Sequence, residues 1–233
     1  MDPRKDAIKK RLEGKKIIAV SGGKGGIGKS MISCATALTL SSMGYKVGLL
    51  DLDFSGPSDH IILGADPKMP DEDHGVLAPE ICGIKFMSIF YYTGDTPSPF
   101  RGTEISNAIK EILAVTIWNG VDTIVVDMPP GMGDEMLDFI RFSDPKFIAV
   151  TTPSKVSLGT VKKFVKLVED MNADFLGVIE NMKIKDSCEK EFGADFLGSI
   201  RFDLDLEDSI GNPDKLMKTQ FSDELRTVLK KIF

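Results

Sequence analysis

Residues 20–30 read Val-Ser-Gly-Gly-Lys-Gly-Gly-Ile-Gly-Lys-Ser, and they constrain the fold more than any other stretch of the chain. Within them Gly23, Lys24, Gly25, Gly26, Ile27, Gly28, Lys29 and Ser30 fit G-x-x-x-x-G-K-[ST], the phosphate-binding loop. The apolar run Ile17-Ile18-Ala19-Val20 precedes the loop and a helix-period segment follows it, which is the strand–loop–helix setting the motif requires. Glycines let the backbone curl so that successive N–H groups face phosphate oxygens, and the helix N-terminus adds its positive dipole end. Lys29 is then placed for the β- and γ-phosphates and the Ser30 hydroxyl for Mg²⁺. The loop predicts binding of ATP or ADP with Mg²⁺. It needs only one lysine, so Lys24 requires a separate reason.

Short runs rich in Val and Ile, at 16–21, 47–51, 84–90, 123–127, 147–151, 175–180 and 197–200, are expected to be strands. Their nearly continuous hydrophobicity predicts burial on both faces, as in a parallel sheet. Helical patterns alternate with them at 29–43, 104–118 and 158–171; in the last, Val161, Phe164, Val165 and Val168 form one stripe. The fold class is therefore α/β: a doubly wound, mostly parallel sheet of the P-loop NTPase kind, with ligands at the carboxyl ends of the strands. Residues 1–15 read as a charged helical lead-in to a single ATPase domain at 16–233.

A hydrophobic content of 42% and a charged content of 27% suit a soluble globular chain, and its 233 residues are enough for one well-cored domain. The net charge of −6 argues against a protein that coats nucleic acid. No apolar run approaches the roughly 20 residues of a membrane span. The N-terminal MDPRKDAIKKRLEGKK lacks the apolar core of a signal peptide. Three scattered cysteines, Cys34, Cys82 and Cys188, suit a reducing compartment, so a cytoplasmic location is expected. His60 and His74 are isolated and read as solvated loop residues.

Two further strands end in acids. One runs into Asp51-Leu52-Asp53; a central one ends at Asp127, followed by Pro129, Pro130, Gly131 and Gly133. An acid after four apolar residues is the Walker-B arrangement, whose carboxylate holds Mg²⁺ directly or through water. Aspartates also end strands merely as turn formers. Asp51 and Asp53, two apart on an extended chain, point to the same side, so either could orient the attacking water.

With these residues in place, the chain resembles the deviant Walker A class of MinD, ParA and the nitrogenase iron protein, through Lys24-Gly-Gly-Ile-Gly-Lys-Ser30. Segments 51–64, 100–109, 125–137, 149–165 and 177–182, with their Gly-Pro-Ser and Pro-Pro-Gly motifs, are similar to the Mrp/ApbC branch of iron–sulfur carrier ATPases, from about Arg11 onward. The resemblance implies a slow Mg²⁺-dependent ATPase that dimerises face to face, with iron–sulfur scaffold or acceptor proteins as partners. It implies that Lys24 reaches across the homodimer to the phosphates bound by the other subunit, a charge supplied in trans as by an arginine finger. It further implies that Asp53 orients water, that Asp51 supports the magnesium shell and that Asn181 hydrogen-bonds the adenine.

Three positions depart from the branch. Met31 stands where a hydroxyl residue usually touches the α-phosphate, and Met132 replaces a threonine of the Pro-Pro-Gly loop. The third is the Cys-x-x-Cys that usually follows Glu-Asn-Met, whose four thiolates in a dimer hold a bridging cluster. Here Cys188 is followed by Glu189, Lys190 and Glu191, in a segment that looks short. Cys188 alone is a weak cluster ligand and reads instead as a buried structural cysteine on the next helix, with Phe192 on the same face. A rival reading is a MinD- or ParA-like positioning ATPase. Its support is the C-terminal face of Leu225, Val228, Leu229 and Ile232 beside Arg226, Lys230 and Lys231, although a last helix packed on the sheet has the same pattern.

Overall fold

The computed structural model describes residues 2–65, 69–94 and 102–233. In chain order its elements begin with α1 (Lys5–Leu12), β1 (Lys16–Gly22), α2 (Lys29–Ser42), β2 (Val47–Asp51), α3 (Asp59–Leu63), β3 (Val76–Leu77), β4 (Glu80–Ile81), β5 (Ile84–Ser88) and α4 (Phe90–Thr93). They continue with α5 (Thr103–Val115), β6 (Thr116–Ile117), β7 (Thr123–Asp127), α6 (Asp134–Ser143), β8 (Lys146–Thr151), α7 (Lys155–Asp170) and β9 (Asp174–Lys183). Last come α8 (Glu189–Phe192), β10 (Phe196–Arg201), α9 (Pro213–Leu216) and α10 (Gln220–Leu229).

The main sheet runs β10-β9-β8-β1-β7-β2-β5-β4, and β3 and β6 pair separately. All neighbours in the main sheet are parallel except the β4–β5 hairpin at one edge. The expected doubly wound, mostly parallel sheet is what forms. Every residue of β2 and β7 is buried, as is every residue of β1 after Lys16, so both faces of the central strands are covered. That burial is the physical content of their unbroken Val/Ile/Leu runs. Helix α2 lies on β1, β2 and β7, and α7 lies on β8, β9 and β1.

Helix α10 packs on β10 and α2, with Leu225, Val228 and Leu229 buried. Burying three such side chains stabilises the fold by about 1.5–3 kcal/mol each. The C-terminal apolar face therefore belongs to the core. At the other end Ile8 and Leu12 of α1 are buried, α1 packs against α5 and α6, and the Arg11 guanidinium donates to the carbonyls of Ala114 and His74 at 3.2 and 2.8 Å.

Two elements stop earlier than their sequence patterns. The strand expected to reach residue 90 ends at Ser88, whose hydroxyl accepts the Phe90 N–H at 3.1 Å and turns the chain into α4. The helix expected over 104–118 ends at Val115, and Thr116 is already extended and starts β6. Trp118 leaves the helix to cover Gly48, where a Cβ would come within 2.6 Å of the indole ring. Of the segment at 100–109, Phe100 and Arg101 lie outside the described residues. No helix among the described residues is long and apolar enough to cross a membrane.

Candidate nucleotide and metal site

The register of the sheet builds the site. Asp127, the last residue of β7, pairs with Val20 of β1 on one side and with Asp51 of β2 on the other, so the loop after β1 hangs over two strand-end carboxylates. Gly28 ends that loop at φ 78°, a left-handed conformation glycine adopts without strain, and α2 starts at Lys29. A Cβ at Gly28 would lie 2.3 Å from Asn181 Nδ2, so a larger residue there would displace Asn181 as well as strain the turn. Asn181, on β9, donates Nδ2 to the Ile27 carbonyl at 2.9 Å and so braces the loop from below. Gly23 lies against Thr160 of α7, while the space above Gly25 and Gly26 is open.

Asp127 is fully buried and fully engaged. Its Oδ1 accepts from Lys29 Nζ and Ser33 Oγ, and its Oδ2 from Ser30 Oγ, each at 2.7 Å. Lys29 Nζ also lies 4.0 Å from Asp53 Oδ2. Burial pulls the Lys29 ammonium down, but the charge and hydrogen bond of Asp127 outweigh it, and the net shift is upward.

Asp51 is buried without exposure, accepting the Asp53 N–H on Oδ1 and the Ser88 hydroxyl on Oδ2, both at 3.0 Å. Burial, and then the neighbouring Asp127 charge, push its carboxyl up to about 7. The hydrogen bond between Asp51 and Asp53 turns the chain, so the two acids part company. Asp51 stays in the interior, whereas Asp53 is partly exposed and faces the cavity over the loop, its Oδ1 accepting the Ser55 and Gly56 N–H groups at 3.1 Å.

That cavity, about 340 Å³, is bordered by Lys24, Gly25, Lys29, Ser30, Asp53 and Pro130. A second cavity of about 300 Å³ adjoins it, between Gly28, Met31, Asn181 and Met182 on one side and the 201–207 segment on the other. Met182 holds φ 57°, a left-handed backbone in a non-glycine residue beside the cavity. Lys24 is exposed at the rim of the first cavity and also borders a third, of about 620 Å³, beside Thr152, Pro153 and Lys185.

Several contributors carried no signal in the sequence. Ser33 and Ser88 hold Asp127 and Asp51, yet a serine on a helix or at a strand end has many commoner uses. Asp59, the first residue of α3, is fully buried with ligand atoms of Asp51, Asp59 and Asp127 all within 4.8 Å of one another. Neither Asp59 carboxylate oxygen has a hydrogen-bond partner, and the neighbouring Cys34 thiol is directed to the Asp59 backbone carbonyl at 4.0 Å. Burial, followed by the charges of Asp127 and Asp51, pushes the Asp59 carboxyl well above the usual range.

His60 is not the solvated residue its isolation suggested. It is 8% exposed and stacks on Phe90 with ring centroids 3.6 Å apart, because α3 tucks it under α4. His74 is fully exposed.

Cys188 is buried, as expected, but immediately precedes α8 rather than lying on it. Its N–H donates to Glu180 Oε1 at 2.9 Å, and Ser187 and Ser199 donate to Glu180 Oε2 at 2.9 and 2.6 Å. Burial, then the hydrogen bond and charge of Glu180, push the Cys188 thiol up to about 12.

The arrangement suits a metal-bound nucleotide on three counts. There is open space above the loop glycines, a buried lysine and a half-buried serine sit at the helix start, and several hard oxygen ligands lie behind them. Comparison with known proteins agrees. The model of the ParA class described as NUBPL iron-transfer P-loop NTPase matches residues 13–233. An iron–sulfur cluster carrier protein of Methanocaldococcus jannaschii is 35% identical over 241 residues, covering 92% of this chain and 83% of its own. One of Aquifex aeolicus is 40% identical over 180 residues, 75% of this chain and 50% of its own length. A nucleotide-binding protein of Archaeoglobus fulgidus, solved with ADP and cobalt, superposes with a TM-score of 0.74 at 28% identity, covering 92% of this chain and 93% of that one.

Proposed function

The chain belongs to the NUBPL iron-transfer P-loop NTPase family, and from that premise we propose that it is a slow, Mg²⁺-dependent ATPase whose homodimer closes around two nucleotides. The observation that carries the reading is Asp127 holding Lys29 and Ser30 together at 2.7 Å beneath the open loop. Lys29 and Ser30 are each satisfied by Asp127 and ready to pass to a phosphate and its cation.

On nucleotide binding, Lys29 would pass from Asp127 to the β- and γ-phosphate oxygens, and Ser30 would be a ligand of the cation. Mg²⁺ supplies charge neutralisation on the phosphates. Asp127 and Asp51 would hold its shell, directly or through water. Asp53 faces the phosphate cavity and orients the water that attacks the γ-phosphorus. Gly23, Gly25, Gly26 and Gly28 carry the backbone N–H groups of the cradle, with Ile27 packed beneath. Asn181, the 201–207 segment and Met31 line the second cavity, which would take the adenine, with a Met31 thioether there in place of a hydroxyl.

Lys24, exposed at the rim and clear of the partners that hold Lys29, serves the phosphates of a second subunit. Lys24→Ala is expected to bind ADP as the wild type does and to lose at least tenfold in turnover. Unchanged turnover would refute the trans role.

An iron–sulfur cluster would be cargo here rather than a resident group, delivered to acceptor proteins as the names of the relatives suggest. Cys188, buried with its N–H on Glu180 and with no second cysteine in the three residues after it, does not support cluster binding of the usual bridging kind. A membrane-positioning role in the MinD manner would need the α10 apolar face, which is spent on β10 and α2.

A further inference from the structure

We propose that Asp59 completes a divalent-cation site with Asp51 and Asp127, so that this chain holds a hard cation before any nucleotide arrives. The inference deepens the metal site of the proposed ATPase and shares Asp51 and Asp127 with it. Its basis, however, is a residue with no part in that reading.

Counting hydrogen bonds singles Asp59 out. Asp127 has three donors on its two oxygens and Asp51 has one on each. Asp59, equally buried, has none, although its carboxylate lies with the other two inside a 4.8 Å span. A buried carboxylate with no partner is costly, by several kcal/mol in an apolar setting, and the cost falls away when the group coordinates a metal. The charges agree. Asp51, Asp59 and Asp127 face inward with one ammonium, Lys29, in contact, and that ammonium is bonded to Asp127. Three carboxylate oxygens within that span match the ligand chemistry of Mg²⁺, Mn²⁺ or Ca²⁺, cations that take hard oxygen donors at about 2.0–2.6 Å. Mg²⁺ in nucleotide sites usually takes one or two carboxylates and relies on the phosphates for the rest. A third carboxylate replaces part of what the phosphates supply, and binding then no longer depends on them.

The test uses the full chain, freed of metal and nucleotide, titrated with Mn²⁺ and followed by the loss of the free-ion EPR signal. ADP affinity in EDTA is measured alongside by calorimetry. The wild type is expected to bind one Mn²⁺ per chain without nucleotide. Asp59→Asn, which preserves shape, is expected to weaken that binding at least tenfold while leaving ADP affinity in EDTA within threefold. Asp59→Ser guards against a folding artefact and should weaken Mn²⁺ binding similarly. No stoichiometric Mn²⁺ binding by the nucleotide-free wild type would overturn the proposal, and so would equal binding by both variants. Loss of ADP binding in the wild type would instead overturn the nucleotide reading and leave the cation site standing on its own titration.

Discussion

The tie between Lys29 and Asp127 has a measurable worth in the empty protein. Lys29→Met keeps the length and most of the apolar stem of the side chain and removes only the ammonium, which is buried beside a carboxylate at 2.7 Å. The carboxylate keeps the Ser30 and Ser33 hydroxyls but loses its one cation, in an interior that already contains Asp51 and Asp59. Breaking a buried pair in this way typically costs about 3–5 kcal/mol. Proton uptake caps the penalty. An aspartate of the unfolded chain titrates near 3.9, so protonating one at pH 7 costs about 3 pH units, or roughly 4 kcal/mol, and at pH 5 about 1.5 kcal/mol. The variant should therefore lose about 4 kcal/mol relative to wild type at pH 7, some 8–16 °C in Tm for a chain of this size, and clearly less at pH 5. Adding Asp127→Asn should recover most of the loss, since a neutral amide needs no cation. The assay is urea unfolding with EDTA and without nucleotide, for both single variants and the double, at the two pH values. A penalty below about 1 kcal/mol at pH 7, or one equal at both pH values, would refute the reasoning, because either would mean that Lys29 does not neutralise a buried charge.

The wild type should show a pH dependence of the opposite kind from ordinary acid denaturation. Asp51, raised to about 7 by burial and then by Asp127, binds its proton more tightly when folded, and Asp59 is pushed the same way. Between pH 4 and pH 7 the folded chain therefore holds more protons than the unfolded one, and this contribution is lost as pH rises. Asp2, Glu191 and Glu224, which are held low, act below that window. In EDTA the unfolding midpoint should be higher near pH 5 than near pH 7.5; a midpoint that climbs across that interval would contradict the burial argument. Thiol reactivity gives a further check. Cys82 is exposed, whereas Cys34 and Cys188 are buried, with their thiols pushed up by that burial first and by neighbouring carboxyls after it. Ellman's reagent at pH 8 should count one thiol in the native chain and three after denaturation. A second fast thiol would return Cys188 to consideration as an iron ligand.

The parts of this protein legible in its sequence are those whose physics is local. The glycine pattern of the loop, the unbroken apolar strands and the acids at their ends each follow from backbone or burial rules acting over a few residues. Such rules give the sheet and bring Lys29, Ser30 and Asp127 to one site, though not their direct bonds to one another. They failed where a long-range contact decides. Trp118 leaves the helical pattern because Gly48, seventy positions earlier, offers a bare backbone to cover. His60 looks solvated until α4 brings Phe90 onto its ring.

Asp59 shows the same limit at the site itself. An aspartate opening a short helix after Pro57-Ser58 reads as an N-terminal turn residue, which is normally solvated. Only the sheet register, with Asp51 opposite Asp127 on adjacent strands, turns it into the third member of a buried acidic group. Cys188, by contrast, reads as a buried structural cysteine and is one: Glu180 accepts its N–H together with the Ser187 and Ser199 hydroxyls in one satisfied polar cluster. An acid with every bond made and an acid with none sit in the same small domain. Fully satisfied buried networks rigidify structure, whereas an unpartnered buried acid is costly until a proton or a cation meets it. By that contrast the Cys188 region is scaffold, and Asp59 is where this chain still expects a ligand.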